Sequence, residues 1–370
     1  MSHLFSPITL GQTTLKNRLV VAPMCQYSAL EGDATAWHVM HLGSMAMSGA
    51  DLVILEATAV EAHGRITPGC LGLWSDSNEK ALAAVLQSVR EHSNAKLFIQ
   101  LAHAGRKAAS ARPWEGGQQL PEAATTWPTS APSAIAHNEH EIAPQALDTA
   151  GIKRVQQAFV DSAIRAKRLG LDGIELHAAH GYLLHQFLSP IANQRTDEYG
   201  GSLENRMRMV LETFQAIRQA IGPDMTLGVR VSACDWVPEG WSLEQTIELA
   251  KQLKSLGCDF IDVSSGGVSG AQQIKLEPGY QVPLAREIKK AVAMPTMAVG
   301  LITEPSHAQE ILSSGSADMI ALARGILYDP RWGWHAAAEL GATVDAPPQY
   351  WRCQPRELKT LFDNASIGQR

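Results

Sequence analysis

The chain has 370 residues, 45% of them hydrophobic and 18% charged, a composition too apolar for a disordered protein and ample for one large core. Its 31 Lys plus Arg against 37 Asp plus Glu give a net charge of -6, and neither sign gathers into a block able to track nucleic acid or an anionic membrane, so small-molecule partners are expected. The five cysteines, Cys25, Cys70, Cys234, Cys258 and Cys353, are scattered without metal-knuckle or redox-pair spacing, which argues against a disulfide framework and a structural zinc site.

The first residues, Met1 to Pro7, lack the basic start and apolar run of a secretory signal, and no stretch reaches membrane-spanning length, so a cytoplasmic location is expected. The first strand is predicted over residues 18–22. No G-x-G-x-x-G follows it, which weakens a dinucleotide-binding Rossmann reading. Trp37-His38-Val39-Met40-His41 offers a histidine pair where a helix should begin, and the pair is read as structural.

A phrase then recurs four times, a helix-ending Gly followed within three residues by Asp and an apolar run. It occurs at Gly49-Ala50-Asp51-Leu52, Gly170-Leu171-Asp172-Gly173, Gly257-Cys258-Asp259-Phe260 and Gly315-Ser316-Ala317-Asp318. The apolar runs do not alternate with polar residues, as suits parallel strands buried on both faces. Further strands are predicted over 96–101, 225–231 and 295–299, making eight. Between the third and fourth strands, residues 112–140 carry four prolines and two glycines with little periodicity, a lid or a solvated excursion.

Two helices are well signed. Ser202 caps one whose inward stripe is Leu203, Met207, Val210, Phe214, Ile217 and Ile221. Ser242-Leu243-Glu244-Gln245 reads as a capping box ahead of Ile247, Ala250, Leu253 and Leu256. Pro347 and Pro348 stop a helix near the C-terminus. Strands alternating with amphipathic helices over this length predict a single domain, 1–370, closed as a (β/α)8 TIM barrel, with a C-terminal arm over 344–370.

Barrel sites are assembled at the carboxyl ends of the strands. There the sequence places Ala22-Pro23-Met24-Cys25-Gln26-Tyr27, Glu56-Ala57-Thr58, Gln100, His177 with His180 and Tyr182, Arg230, Ser264-Ser265-Gly266-Gly267, Gly300 and Ala323-Arg324. The glycines serve either as turn residues or, with Arg324, as a phosphate cradle. Gln100 and Arg230 suit the edge of a heterocycle. His177 and His180, three apart, read as the start of a helical turn pointing two N–H donors at one oxygen. The alternative is a metal pair in a barrel hydrolase, for which the first strand end supplies no further ligands.

These residues carry a resemblance. The segments Asn17-Arg18 through Tyr27, Glu56-Ala57-Thr58-Ala59-Val60, Gln100 through Arg106, His177 through Pro190 and Asn193 through Ser202 resemble the Old Yellow Enzyme family of NADH:flavin oxidoreductases and ene-reductases. Cys25 with Tyr27 is similar to its short bacterial, thermophilic-like subgroup. The resemblance implies non-covalent FMN contacted by Ala22, Pro23, Met24, Cys25, Ala57, Gln100, Arg230, Gly300, Ala323 and Arg324, with NADPH or NADH as reductant. It implies that His177 and His180 bind the carbonyl or nitro oxygen of an alkene substrate, that Tyr182 supplies a proton, and that Tyr27 lines the pocket. Many relatives carry Gly where this chain has Ala323, which puts that backbone contact in question. The resemblance also implies a homodimer or homotetramer in which Arg352, with Trp351 or Tyr350 as a wall, completes a neighbouring active site. A non-catalytic flavin-binding redox sensor is the remaining alternative.

Overall fold

The computed structural model describes residues 2–121 and 127–366. Eight strands close into one barrel in chain order, each parallel to its neighbours. They are β1 (Leu19–Val21), β2 (Leu52–Ala59), β3 (Lys96–Ala102), β4 (Gly173–Ala178), β5 (Thr226–Ser232), β6 (Ile261–Ser264), β7 (Thr296–Ala298) and β8 (Met319–Leu322). Outside them lie α1 (Ala36–Ala46), α2 (Asp76–Arg90), α3 (Thr149–Arg168), α4 (Leu203–Ile221), α5 (Leu243–Ser255), α6 (Val282–Val292), α7 (Pro305–Ser313) and α8 (Trp332–Glu339). All eight strands fall where the sequence predicts them, and the fold is the expected (β/α)8 barrel. No described helix is long and apolar enough to cross a membrane.

The repeated Gly-to-Asp phrase has a physical cause. Asp172, Asp259 and Asp318 stand just ahead of β4, β6 and β8. Each accepts, through one carboxylate oxygen, the N–H at the start of the preceding strand: Leu97 at 2.9 Å, Leu227 at 2.9 Å and Thr296 at 3.0 Å. Each also returns its own N–H to the carbonyl of that same residue, at 2.9, 2.9 and 2.8 Å. Asp51, ahead of β2, likewise accepts the N–H of Lys16 at 2.6 Å. The aspartates thus clasp alternate strand pairs at the lower, N-terminal end of the barrel, and Lys96, Arg218 and Lys289 flank three of them at 3.3, 2.7 and 3.0 Å. Gly49, Gly170, Gly257 and Gly315 all have positive φ, the turn that brings the chain from helix to clasp.

The interior is filled from below. Phe98 and Phe260 meet with ring centroids 5.8 Å apart. A Cβ on Gly173 would lie 2.7 Å from the Phe98 ring and one on Gly228 would lie 2.3 Å from the Phe260 ring, so each bulky side chain faces a glycine. An antiparallel hairpin, Ile8–Leu10 with Thr13–Leu15, brings fully buried Leu10 and Leu15 into the same cluster and closes the lower mouth.

Three local expectations need correction. Ser242 does cap α5 through the Gln245 N–H, but its hydroxyl donates to Glu244 Oε2 at 2.7 Å, and Gln245 Oε1 is buried without a partner, so the reciprocal half of a capping box is missing. On that helix Thr246 and Leu249 join Ala250 and Leu253 in the core, while Ile247 and Leu256 are only partly buried. Near the C-terminus, α8 ends at Glu339, well before Pro347 and Pro348. The prolines instead open a 3-10 turn, Pro348–Cys353. By contrast α4 buries its expected stripe from Met207 to Ile221 and adds Arg206, Met209 and Thr213.

Replacing Asp259 by Ala removes an anionic acceptor from the Leu227 N–H and a partner from Arg218. It should lower stability by about 1.5–3 kcal/mol, read as a lower urea midpoint, and leave the strand ends that carry the site residues undisturbed, because the clasp lies at the opposite end of the barrel.

Candidate functional site

Strand parity builds the site in layers. Along β3 the inward residues are Phe98 and Gln100. Along β4 they are Gly173, Glu175 and His177, along β5 Gly228, Arg230 and Ser232, and along β6 Phe260, Asp262 and Ser264. Register places Gln100 beside Glu175, Arg230 beside both His177 and Asp262, and Ser232 beside Ser264. An apolar floor therefore carries a buried polar layer of Gln100, Glu175, Arg230 and Asp262, with His177, Ser232 and Ser264 above it at the upper rim.

The histidine pair forms by a different route from the one the sequence suggests. His177 lies on β4, and His180 follows in a left-handed turn with φ of 58°, so no helical turn sets their spacing. The rings of His177 and His180 are 5.1 Å apart at 80°, and those of His177 and Tyr182 are 5.1 Å apart at 71°. Strain in this turn is held by buried side chains. Ser232 Oγ accepts the His180 N–H at 2.9 Å, Lys107 Nζ donates to the His180 carbonyl at 2.9 Å, and His185 Nδ1 accepts the Gly181 N–H at 2.8 Å. Gln186 Nε2 donates to the Gly181 carbonyl at 2.7 Å, and His185 Nε2 lies 2.9 Å from Asp235. A Cβ on Gly181 would sit 2.1 Å from the Gly267 carbonyl oxygen.

The sequence does not single out Lys107, His185, Ser232, Asp235 or Ser264 for a part in holding this turn. Ser232 and Ser264 are legible in retrospect as the next inward positions after Arg230 and Asp262. The others lie off the barrel strands and are revealed only by the packing of the loops.

Burial sets the protonation states. It pushes His177 and His180 well below the ordinary imidazole range, with the charge of Arg230 acting in the same direction. Burial also lifts the Tyr182 phenol and the Cys25 thiol well above their usual ranges and brings the Lys107 ammonium down to about 8. His177 Nδ1 is buried with no partner, while His180 Nε2 lies 2.7 Å from Ser264 Oγ.

The other predicted strand-end residues converge on the same rim. Ala22 closes β1 and leads through Pro23, Met24 and Cys25 to Tyr27, whose φ is 52° and whose carbonyl accepts Arg112 Nε at 2.9 Å. That bond and the Tyr27–Trp114 ring contact at 5.9 Å bring the start of the 112–140 segment to the rim; residues 122–126 of that segment lie outside the described residues. Ala57 stands at a register irregularity in β2. Glu56 accepts the Gln26 N–H at 2.9 Å and lies 3.3 Å from His38 Nε2, whose Nδ1 accepts the Thr35 N–H at 2.9 Å. His38 is therefore the structural residue expected.

The donor set fits FMN. Arg230 offers a buried guanidinium whose Nε is 3.0 Å from Asp262 without hydrogen-bond alignment, and Gln100 donates only to Glu175, which leaves its Oε1 for a ring N–H. The Gly300 N–H meets no carbonyl or side-chain acceptor among the described residues. Its φ is 124°, and a Cβ at this position would lie 2.9 Å from Gln281 Nε2, so the site admits only glycine. Arg324 is exposed and forms no ion pair among the described residues, as suits a phosphate. Ala323 has φ of -113°, outside the left-handed region that would require glycine.

Trp351 and Arg352 do not join this site within the chain. Trp351 lines a groove of about 590 Å³ with Lys16, Asn17, Gly49, Asp51 and Thr343 at the lower end of the barrel, and Arg352 is exposed beside it. Tyr350 packs edge-on against Trp334 with centroids 6.1 Å apart. Among the described residues, no three His, Cys, Asp or Glu side chains come together to hold a metal ion.

Because His177 and His180 have lowered pKa values in the fold, the unfolded chain takes up protons first as the pH drops below about 6.5, and stability is lost there. Thermal midpoints should fall from pH 7 to pH 5, and His177→Gln with His180→Gln should make that fall shallower. Nitrogen NMR should find both imidazoles unprotonated at pH 6.

Residues 3–342 match the NADH:flavin oxidoreductase / NADH oxidase family. An NADPH dehydrogenase of Geobacillus sp. (strain WCH70) is 45% identical over 351 residues, covering 94% of this chain and 98% of the relative. The structure of morphinone reductase superposes with a TM-score of 0.76 at 26% identity, over 99% of this chain and 94% of that one. An old yellow enzyme homologue from Zymomonas mobilis gives 0.74 at 28% identity, over 97% and 99%. The chain belongs to the NADH:flavin oxidoreductase / NADH oxidase family and is an Old Yellow Enzyme-type oxidoreductase that uses FMN and NAD(P)H.

Proposed function

We propose that this enzyme reduces the activated carbon–carbon double bond of α,β-unsaturated carbonyl compounds, and of nitro analogues. The observation that carries the reading is the convergence of the His177, His180 and Tyr182 rings above the buried polar layer. Bound FMN, reduced by NADPH or NADH, supplies the hydride, and it is held by Ala22, Pro23, Met24, Cys25, Ala57, Gln100, Arg230, Gly300, Ala323 and Arg324. The naming of similar proteins as NADPH dehydrogenase and morphinone reductase supports a reductase with a nicotinamide donor.

The chain's own residues divide the remaining work. His177 and His180, neutral because buried, donate to the substrate oxygen and stabilise the negative charge that develops there. Ser264 Oγ, 2.7 Å from His180 Nε2, holds that ring in orientation toward the substrate. Tyr182 keeps its proton because burial opposes the phenolate, and it delivers that proton to the α-carbon. Tyr27 forms a wall of the pocket, and the start of the 112–140 segment, anchored on Tyr27 through Arg112, covers it as a lid.

We propose also that the enzyme assembles as a dimer or tetramer in which Arg352, with Trp351 behind it, enters the active site of a neighbouring subunit. Supporting this is the exposure of Arg352, while the packing of Tyr350 and Phe362 against Trp334 of the chain's own barrel fits equally the other reading, a surface tail.

Replacing both His177 and His180 by Ala should leave FMN bound and weaken phenol binding by about 1–3 kcal/mol per lost donor, with enone turnover falling in step. Normal turnover would overturn the carbonyl-clamp assignment. Tyr182→Phe should slow the alkene half-reaction in stopped flow and leave flavin reduction by NADPH nearly unchanged. Equal slowing of both halves would instead make Tyr182 a positioning residue. Subunits bearing the His177→Ala and His180→Ala pair, co-assembled with Arg352→Ala subunits, should give more activity than the two parents combined. Confirmed hybrids without that recovery would remove the shared site.

A further inference from the structure

Two acids lie under the site, and the reaction as described uses neither. Glu175 on β4 and Asp262 on β6 are both fully buried, in one layer with Gln100 and Arg230. The layer holds a single cation. Asp262 Oδ2 lies 3.0 Å from Arg230 Nε, whereas Glu175 has only the neutral amide of Gln100, whose Nε2 donates to its Oε1 at 2.8 Å. Among the described residues Glu175 Oε2 has no hydrogen-bond partner and neither Asp262 oxygen has one, so what sets Asp262 apart is the Arg230 charge at 3.0 Å. Below the layer stand the Phe98 and Phe260 rings, and above it the neutral His177, so no second cation reaches either acid.

With two carboxyls and one guanidinium out of water, full ionisation would leave an uncompensated buried anion, and a group in that position takes up a proton instead. Asp262 has the arginine, so the proton resides on Glu175. Burial, reinforced by the Asp262 charge, acts on Glu175 in that direction.

We propose that Glu175 is a positioning residue held as the neutral acid. It orients Gln100 and adds no second negative charge beside the Arg230–Asp262 ion pair, so that Arg230 serves the electron-rich pyrimidine edge of the reduced flavin. The proposal rests on the reading above that Gln100 and Arg230 contact FMN. An ionised Glu175 would place a negative charge beside Gln100, a residue read as contacting the flavin, and would oppose reduction of a flavin bound there. The neutral acid provides an acceptor for Gln100 without that opposition, and the amide then presents its Oε1 upward as an acceptor.

The test is the midpoint potential of the FMN-loaded enzyme from pH 6 to pH 9, in the wild type and in Glu175→Gln, a neutral side chain of nearly the same shape. At pH 7 the two should agree within a tenfold change in the reduction equilibrium, about 30 mV for a two-electron couple. At higher pH the wild-type potential should drop below that of the variant as Glu175 ionises. Infrared spectra of the wild-type holoenzyme should show the carbonyl stretch of a protonated carboxyl, which Glu175→Gln removes. A potential raised by more than about 30 mV, a tenfold change in the equilibrium, by Glu175→Gln at pH 7 would show that the native acid is ionised and would overturn the proposal. So would the absence of the carboxyl band in the wild type, a result that needs no variant to fold. Arg230→Gln separates this from the underlying reading: it should lower the potential, and if it does not, the FMN contact itself fails whatever Glu175 does.

Discussion

Closure of eight parallel strands is the constraint from which the rest follows. A strand buried on both faces cannot carry exposed functional groups along its length, so chemistry is confined to the few residues at each carboxyl end. The opposite ends must then supply the fixity. Here they do so through aspartates that exchange two hydrogen bonds with the first residues of the neighbouring strand, as Asp172 does with Leu97 and Asp318 with Thr296. Stability and catalysis are thereby assigned to opposite faces of one barrel.

This division explains what the sequence disclosed. The Gly-to-Asp phrase was legible because every clasp imposes the same local demand, a left-handed turn followed by an acceptor and then a buried run. The rim residues Gln100, His177 and Arg230 were legible because they end those runs. The geometry joining His177 to His180 was not, since a spacing of three fits a helical turn as readily as a strand end followed by a left-handed residue. What selects the second is a set of partners distant in the chain: Ser232 is 52 residues from His180, and Lys107 is 73. The unfinished capping box at Ser242 has a similar cause, because tertiary packing buries Gln245 and the hydroxyl finds Glu244 instead. Glu175 could have been noticed by counting back two residues from His177, but nothing local in a sequence announces that an acid will be buried without a cation of its own.

The turn at His180 and Gly181 shows how a fold keeps a strained segment in one conformation. Its backbone polar groups are met by the side chains of Ser232, Lys107, His185 and Gln186, and Gly267 packs so closely that Gly181 admits no side chain. The three rings on this turn and strand therefore inherit their spacing from hydrogen bonds made within the fold. Variation in the loops around the rim can alter what enters the pocket without disturbing that spacing.

The hairpin that carries Leu10 and Leu15 gives the barrel a further property. With these leucines sealed against Phe98 and Phe260, the barrel is a cup rather than a tube. Solvent reaches the chemistry only over the rim, so the underside of the polar layer exchanges protons with bulk water through the mouth alone.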